Sequence, residues 1–160
     1  MRLLLPRTGC YLLTYIQGME GPMRPVEHDA PYVNVLAEPA RGIITIRWKN
    51  YAPSGTYRAT LDHAVDLIRE HKLRYFLTDQ RRRGAILHDD ELWLVTDWCP
   101  RMAQAGLERA AIVQSADFFN RASIDRVVKT VLPTVSYPIM NFKTLEEAEH
   151  WLTNTEEVTV

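Results

Sequence analysis

Apolar positions recur along this chain with two periods, and the switches between them mark its elements. Tyr32-Val33-Asn34-Val35-Leu36 and Ile43-Ile44-Thr45-Ile46-Arg47-Trp48 are runs rich in β-branched and aromatic residues, separated by Ala37 to Gly42, a spacing that predicts a hairpin. Pro53, Ser54 and Gly55 end it. Leu61, Ala64, Val65 and Ile68 then fall at i, i+3, i+4 and i+7, which predicts a helix over about 56–71. Arg74 to Thr78 returns to a strand through Tyr75-Phe76-Leu77. Beyond it, Asp89-Asp90-Glu91 supplies the negative first turn that a helix macrodipole favours. That helix should carry Leu92, Val95, Cys99 and Met102 inward, be kinked or divided by Pro100, and end at Gly106.

Arg109 to Gln114 predicts the next strand, and Asp117 to about Val131 a helix with Ile124, Val127, Val128 and Val131 inward. A last strand, Ile139 to Phe142, leads into a helix whose start is written in the sequence: Thr144 as N-cap and Glu147 three residues on, able to close a capping box. Leu145, Ala148, Trp151 and Leu152 share one face of it. The order is therefore β-β-α-β-α-β-α-β-α. Helices between successive strands require a mostly parallel sheet with right-handed crossovers, and the first hairpin adds one antiparallel N-terminal strand. The prediction is a single α/β domain with its helices packed on the sheet.

The N-terminal segment has neither period. Pro6, Arg7 and Gly9 break its apolar run short of an export signal or a membrane span, so no membrane insertion is expected. Gly18, Gly21, Pro22, Pro25 and Pro31 among polar residues read as a linker. Residues 1–31 are thus an expected extension, with Met19 or Met23 as an alternative start, followed by the domain over 32–152 and a tail over 153–160.

At 160 residues, 46% of them hydrophobic and 24% charged, the chain can bury a core without metal or disulfide. A formal net charge of −1 gives no global pull toward nucleic acid, and no nucleic-acid partner is expected. Cys10 and Cys99 are too few and too far apart for a secreted disulfide scaffold, which suggests a reducing cytoplasm.

Candidate chemistry is sparse. The five histidines show no metal-ligand spacing, there is no glycine-rich phosphate loop or nucleophile elbow, and Cys99 sits on an apolar helix face as a buried thiol. No catalytic residue, metal or cofactor is assigned. Arg81, Arg82 and Arg83 follow a strand's C-terminal end, where open α/β sheets bind ligands, and could grip a phosphate or carboxylate. The plainer expectation is solvation, or pairing with Asp79, Asp89, Asp90 and Glu91. Asp79 could orient an arginine or cap the loop through backbone amides. Trp93 and Trp98 are expected in the core, or as anchors for a partner if exposed.

Ile46-Arg47-Trp48, Leu77-Thr78-Asp79 with Arg81, Trp93 with Trp98-Cys99-Pro100-Arg101, Arg109-Ala110-Ala111-Ile112-Val113 and Phe142 to Leu152 together give a pattern that resembles the SpoIIAA-like family, relatives of the STAS domain and, more distantly, of a lipid-binding type of fold. The likeness covers about three quarters of the chain. It implies a non-enzymatic regulatory module that acts by contact with another protein, or alternatively a binder of a small apolar or lipid-like ligand in a cavity between sheet and helices. The family's phosphorylated serine after the third strand has no counterpart here, because Asp79 to Asp90 contains neither Ser nor Thr, which leaves Thr78 just before the loop as the alternative.

Overall fold

In the computed structural model, residues 23–154 are described. Six strands form one sheet in sequential order: β1 (Val26–Asp29), β2 (Val33–Glu38), β3 (Ile43–Trp48), β4 (Tyr75–Asp79), β5 (Arg109–Val113) and β6 (Ile139–Phe142). β1, β2 and β3 pair antiparallel, and β3 to β6 pair parallel. The expected linker thus gives way, within its described part, to an edge strand. Val26 pairs with Ala37 and packs its side chain against the core, a contact that a proline-flanked tetrapeptide does not advertise. The rest of that extension, residues 1–22, and the tail from 155 lie outside the described residues.

Because the parallel strands advance in one direction, right-handed crossovers put all connecting helices on the same face. These are α1 (Ser54–His71), α2 (His88–Trp93) continued by a π-helical turn (Leu94–Trp98) into α3 (Cys99–Gln104), and α4 (Phe118–Val131). They bury the main core, where Val35, Ile44, Ile46 and Phe76 meet Leu61, Val65, Ile68, Leu94, Trp98, Met102 and Val127. α5 (Leu145–Thr153) follows the last strand and so is free to cover the opposite face. There Ile43, Tyr75, Leu77, Ala111 and Val113 pack against Ala148 and Leu152. With both faces covered, β4 and β5 are buried at every position, and their sequences read as continuous runs instead of alternating ones.

The Thr144 cap is formed, its hydroxyl accepting the Glu147 N–H at 3.2 Å. Pro100 does divide its helix. It falls in the first turn of α3, where a missing N–H costs nothing, and the Cys99 N–H reaches back to the Leu94 carbonyl. The residue gained by that wide turn rotates the buried face. Leu94 and Trp98 point inward with Cys99 and Met102, while Leu92, expected inside, is 55% exposed. α5 also differs in weight from expectation: Ala148 and Leu152 are fully buried, but Trp151 is only half-buried, against Phe142.

Candidate functional site

The C-terminal ends of the parallel strands finish level, with Arg47 opposite Asp79, Asp79 opposite Val113, and Val113 opposite Phe142. Each strand then runs into a basic or polar residue: Lys49 after β3, Gln80-Arg81 after β4, Gln114-Ser115 after β5, Lys143 after β6. Sheet geometry therefore collects on one edge charges that are scattered in sequence.

The three consecutive arginines have three different fates. Arg81 forks onto Asp79, with Nε to Oδ1 at 2.9 Å and Nη2 to Oδ2 at 2.8 Å, and its own backbone N–H reaches Oδ1 at 3.1 Å. Asp79 thus takes both roles expected of it, and Arg47 adds a longer contact of 3.6 Å. The bond to Asp79 holds the Arg81 pKa above its ordinary value. Arg82 is exposed and has no ion-pair partner among the described residues. Arg83 is 2% exposed. Its guanidinium covers the Trp48 and Tyr57 rings at 4.7 and 4.1 Å from their centroids. Among the described residues its Nε and Nη1 have no hydrogen-bond partner, nor has the buried Nε1 of Trp48. Burial lowers the Arg83 pKa and raises that of Tyr57.

Two of the acids expected to neutralise this loop, Asp90 and Glu91, bond elsewhere. Asp90, 1% exposed, accepts from Ser54 Oγ at 2.6 Å and Arg58 Nε at 2.8 Å, which ties α1 to α2. Glu91 accepts both arms of Arg126 at 2.7 and 3.1 Å, which ties α2 to α4 and holds the Glu91 pKa below its ordinary value. Among the described residues, Asp79 is the one acid in an ion pair with the three arginines. The loop itself is rigidly held: Gln80 Nε2 donates to Thr78 Oγ1 at 2.8 Å, Asn120 Nδ2 to Gln80 Oε1 and the Gly84 carbonyl, and Ser115 Oγ to the Arg83 carbonyl at 3.0 Å.

Two open hollows flank Arg81. One of about 570 Å³ is lined by Arg47, Trp48, Lys49, Asp79, Arg81, Arg82 and Leu145. The other, about 470 Å³, is lined by Arg81, Gln114, Ser115, Ala116, Arg121 and Lys143. Together they present six cationic side chains and one carboxylate, an arrangement suited to holding an anionic group. Arg47, Lys49, Arg121 and Lys143 were not singled out from sequence. Their common signal, a cation at or just beyond a strand or helix end, becomes informative only once those ends are known to share an edge.

Trp93 and Trp98 part company. Trp98 is a core residue, its Nε1 donating to the Leu61 carbonyl at 2.8 Å and its ring 5.6 Å from Phe76. Trp93 is half-buried beneath the guanidinium groups of Arg58 and Arg101, at 5.2 and 5.9 Å. Burial pushes the Cys99 thiol up to about 12, far from an activated nucleophile. An apolar cavity between the sheet and the helices, lined by Trp48, Phe76, Leu94, Trp98 and Met102 among others, measures about 90 Å³. That is well below the several hundred Å³ of a usual small-molecule site. Among the described residues no cluster of three or more His, Cys, Asp or Glu is placed to hold a metal, and no helix is long and apolar enough to cross a membrane.

Comparison with models of known families, with curated proteins and with solved structures returns no match. Fold and site therefore define the chain only as an α/β protein with a six-stranded mixed sheet and a basic C-terminal edge.

Proposed function

We propose that this chain is a non-enzymatic, STAS-like (SpoIIAA-like) regulatory module that acts by contact with another protein, gripping an anionic group of that partner at the basic edge of its sheet. The observation that carries this reading is the segregation of charge: six cations against one carboxylate line the two hollows, in a chain whose formal net charge is −1. A carboxylate or phosphate of the partner would sit on Arg82 and Arg47, exposed cations beside the Arg81–Asp79 pair. Regulation by serine phosphorylation in this loop is ruled out by composition, since 79–90 has no hydroxyl residue. A lipid-like ligand in the internal cavity receives no support from its volume of about 90 Å³. A cytoplasmic location belongs to the same proposal, supported by the two widely separated cysteines.

The test is titration with a synthetic peptide carrying phosphoserine among glutamates, followed by backbone amide chemical shifts. Shifts should concentrate at residues 47–49 and 79–83 and fade with salt. Arg47→Gln with Arg82→Gln should weaken binding by about tenfold or more, as expected for charge-assisted bonds of about 1.5–3 kcal/mol, at unchanged melting temperature. Scattered shifts, or equal binding by the variant, would refute the reading.

A further inference from the structure

The first turn of α4 displays two adjacent aromatic rings to solvent. Phe118 and Phe119 are each 67% exposed, the most exposed of the large apolar side chains among the described residues, and they meet edge to face with centroids 5.6 Å apart. Their turn is not loose. Asp117 caps it through a bond from the Asn120 N–H at 2.9 Å. Asn120, 1% exposed, is pinned to Gln80 and to the Gly84 carbonyl. The fold thus holds two rings out in water, a position that folding energetics alone disfavours.

The rings stand beside the basic edge. Ser115 and Ala116, just before the turn, and Arg121, just after the rings, line one of the two hollows with Arg81 and Lys143. Arg121 is anchored by donating to the Ser115 and Ala116 carbonyls at 3.0 and 2.8 Å. Lys143 is exposed and has no ion-pair partner among the described residues. Of the carboxylates nearby, Asp79 is engaged by Arg81 and Asp117 by the cap, while Asp125 is exposed and lines an adjoining cleft with Arg121. Glu146 also acts on Arg81 electrostatically.

We infer that this corner is a peripheral docking surface for an anionic lipid bilayer, with Phe118 and Phe119 entering the headgroup region while Arg81, Arg121 and Lys143 face lipid phosphates. Exposed rings beside a cationic edge are the signature of an interfacial anchor, in which apolar insertion and attraction to anionic headgroups add. A protein hot spot, by contrast, seats its aromatic in a pocket of the partner, and here two rings project together from the first turn of α4 and line neither of the two hollows. The chain's overall charge would not draw it to such a surface, so the attraction must come from this edge. The inference goes beyond the proposed protein contact: it assigns where the module works, and leaves Arg47 and Arg82 at the other hollow for the partner, Lys49 there being paired with Asp29.

Co-sedimentation with vesicles containing about 30 mol% phosphatidylglycerol in phosphatidylcholine tests it. The wild-type chain should pellet with these vesicles, not with pure phosphatidylcholine, and should be released by salt. Phe118→Ser with Phe119→Ser should weaken binding by about tenfold or more, and Lys143→Gln by about fivefold, with melting temperatures unchanged and binding of the phosphoserine peptide retained. Phe118→Trp with Phe119→Trp should keep vesicle binding. A wild-type chain that stays in the supernatant, binding that ignores lipid charge, or a serine variant that binds like wild type would each overturn the inference and leave the rings to a protein partner.

Discussion

Arg83 is a buried cation without an ion-pair partner among the described residues, and replacing it with methionine measures what it contributes. Its Nε and Nη1 are buried without acceptors, and each such donor costs about 1–3 kcal/mol. Against this stand two ring contacts, with Trp48 and Tyr57, worth about 0.5–2 kcal/mol each. Asp90 attracts the guanidinium as well, but its carboxylate already accepts from Ser54 and Arg58. Methionine preserves the unbranched stem and the contact with both rings, and removes the unpaired donors. The backbone bonds of residue 83, from its N–H to the Gln80 carbonyl and from Ser115 Oγ to its own carbonyl, are untouched. Arg83→Met should therefore stabilise the fold by about 1–2 kcal/mol and raise the melting temperature by roughly 2–6 °C. Urea unfolding at neutral pH, followed by tryptophan fluorescence, reads this directly. A loss above about 1 kcal/mol would show that ring stacking and Asp90 outweigh the unpaired donors, and the account of this residue would be wrong. Changing all three arginines together would mix this effect with the surface roles of Arg81 and Arg82, so the loop must be dissected singly.

Leu152→Ala should destabilise by about 2–5 kcal/mol, because Leu152 is fully buried under the sheet, whereas Trp151→Ala should cost about 2 kcal/mol, its ring being half-buried; equal losses in denaturant melts would contradict that ranking. In a Cys10→Ser background, Cys99 should resist alkylation until the protein unfolds, since burial pushes its thiol up to about 12; rapid labelling of the native protein would place it outside the core. The Arg126 bonds hold Glu91 below its ordinary pKa of 4.5, so the folded pKa lies under the unfolded one. The stability this pair contributes should be fully present above about pH 4.5 and lost as pH falls through the folded value, and Glu91→Gln should flatten that acid-side slope in melts taken across pH.

Much of the architecture was legible from local pattern. The hairpin, the β4–β5–β6 order and the Thr144 cap each rest on residues close in sequence, and all appear where the pattern put them. β1 is not legible in the sequence because a four-residue strand between prolines carries too short a period to register; β2 supplies its hydrogen bonds. Leu92 was placed inside because the 3.6-residue period was carried through Pro100, and the π-helical turn broke that phase. The arginine loop was visible as a motif, but its acids were matched to it by proximity in sequence, when Asp90 and Glu91 instead bond to Arg58 and Arg126, more than thirty residues away.

What the chain determines by itself is therefore the sequence of elements, since helix caps, hydrophobic period and turn residues act over a few positions and need no partner. What only the tertiary structure decides is the fate of individual charges and rings. Arg81, Arg82 and Arg83 are identical in type and adjacent, yet one is paired, one solvated and one buried, because each turn of backbone aims them at surroundings built from distant strands. Lys49, Arg81 and Lys143 become neighbours for the same reason: parallel strands in register end on one edge, and electrostatics acts through that space rather than along the chain.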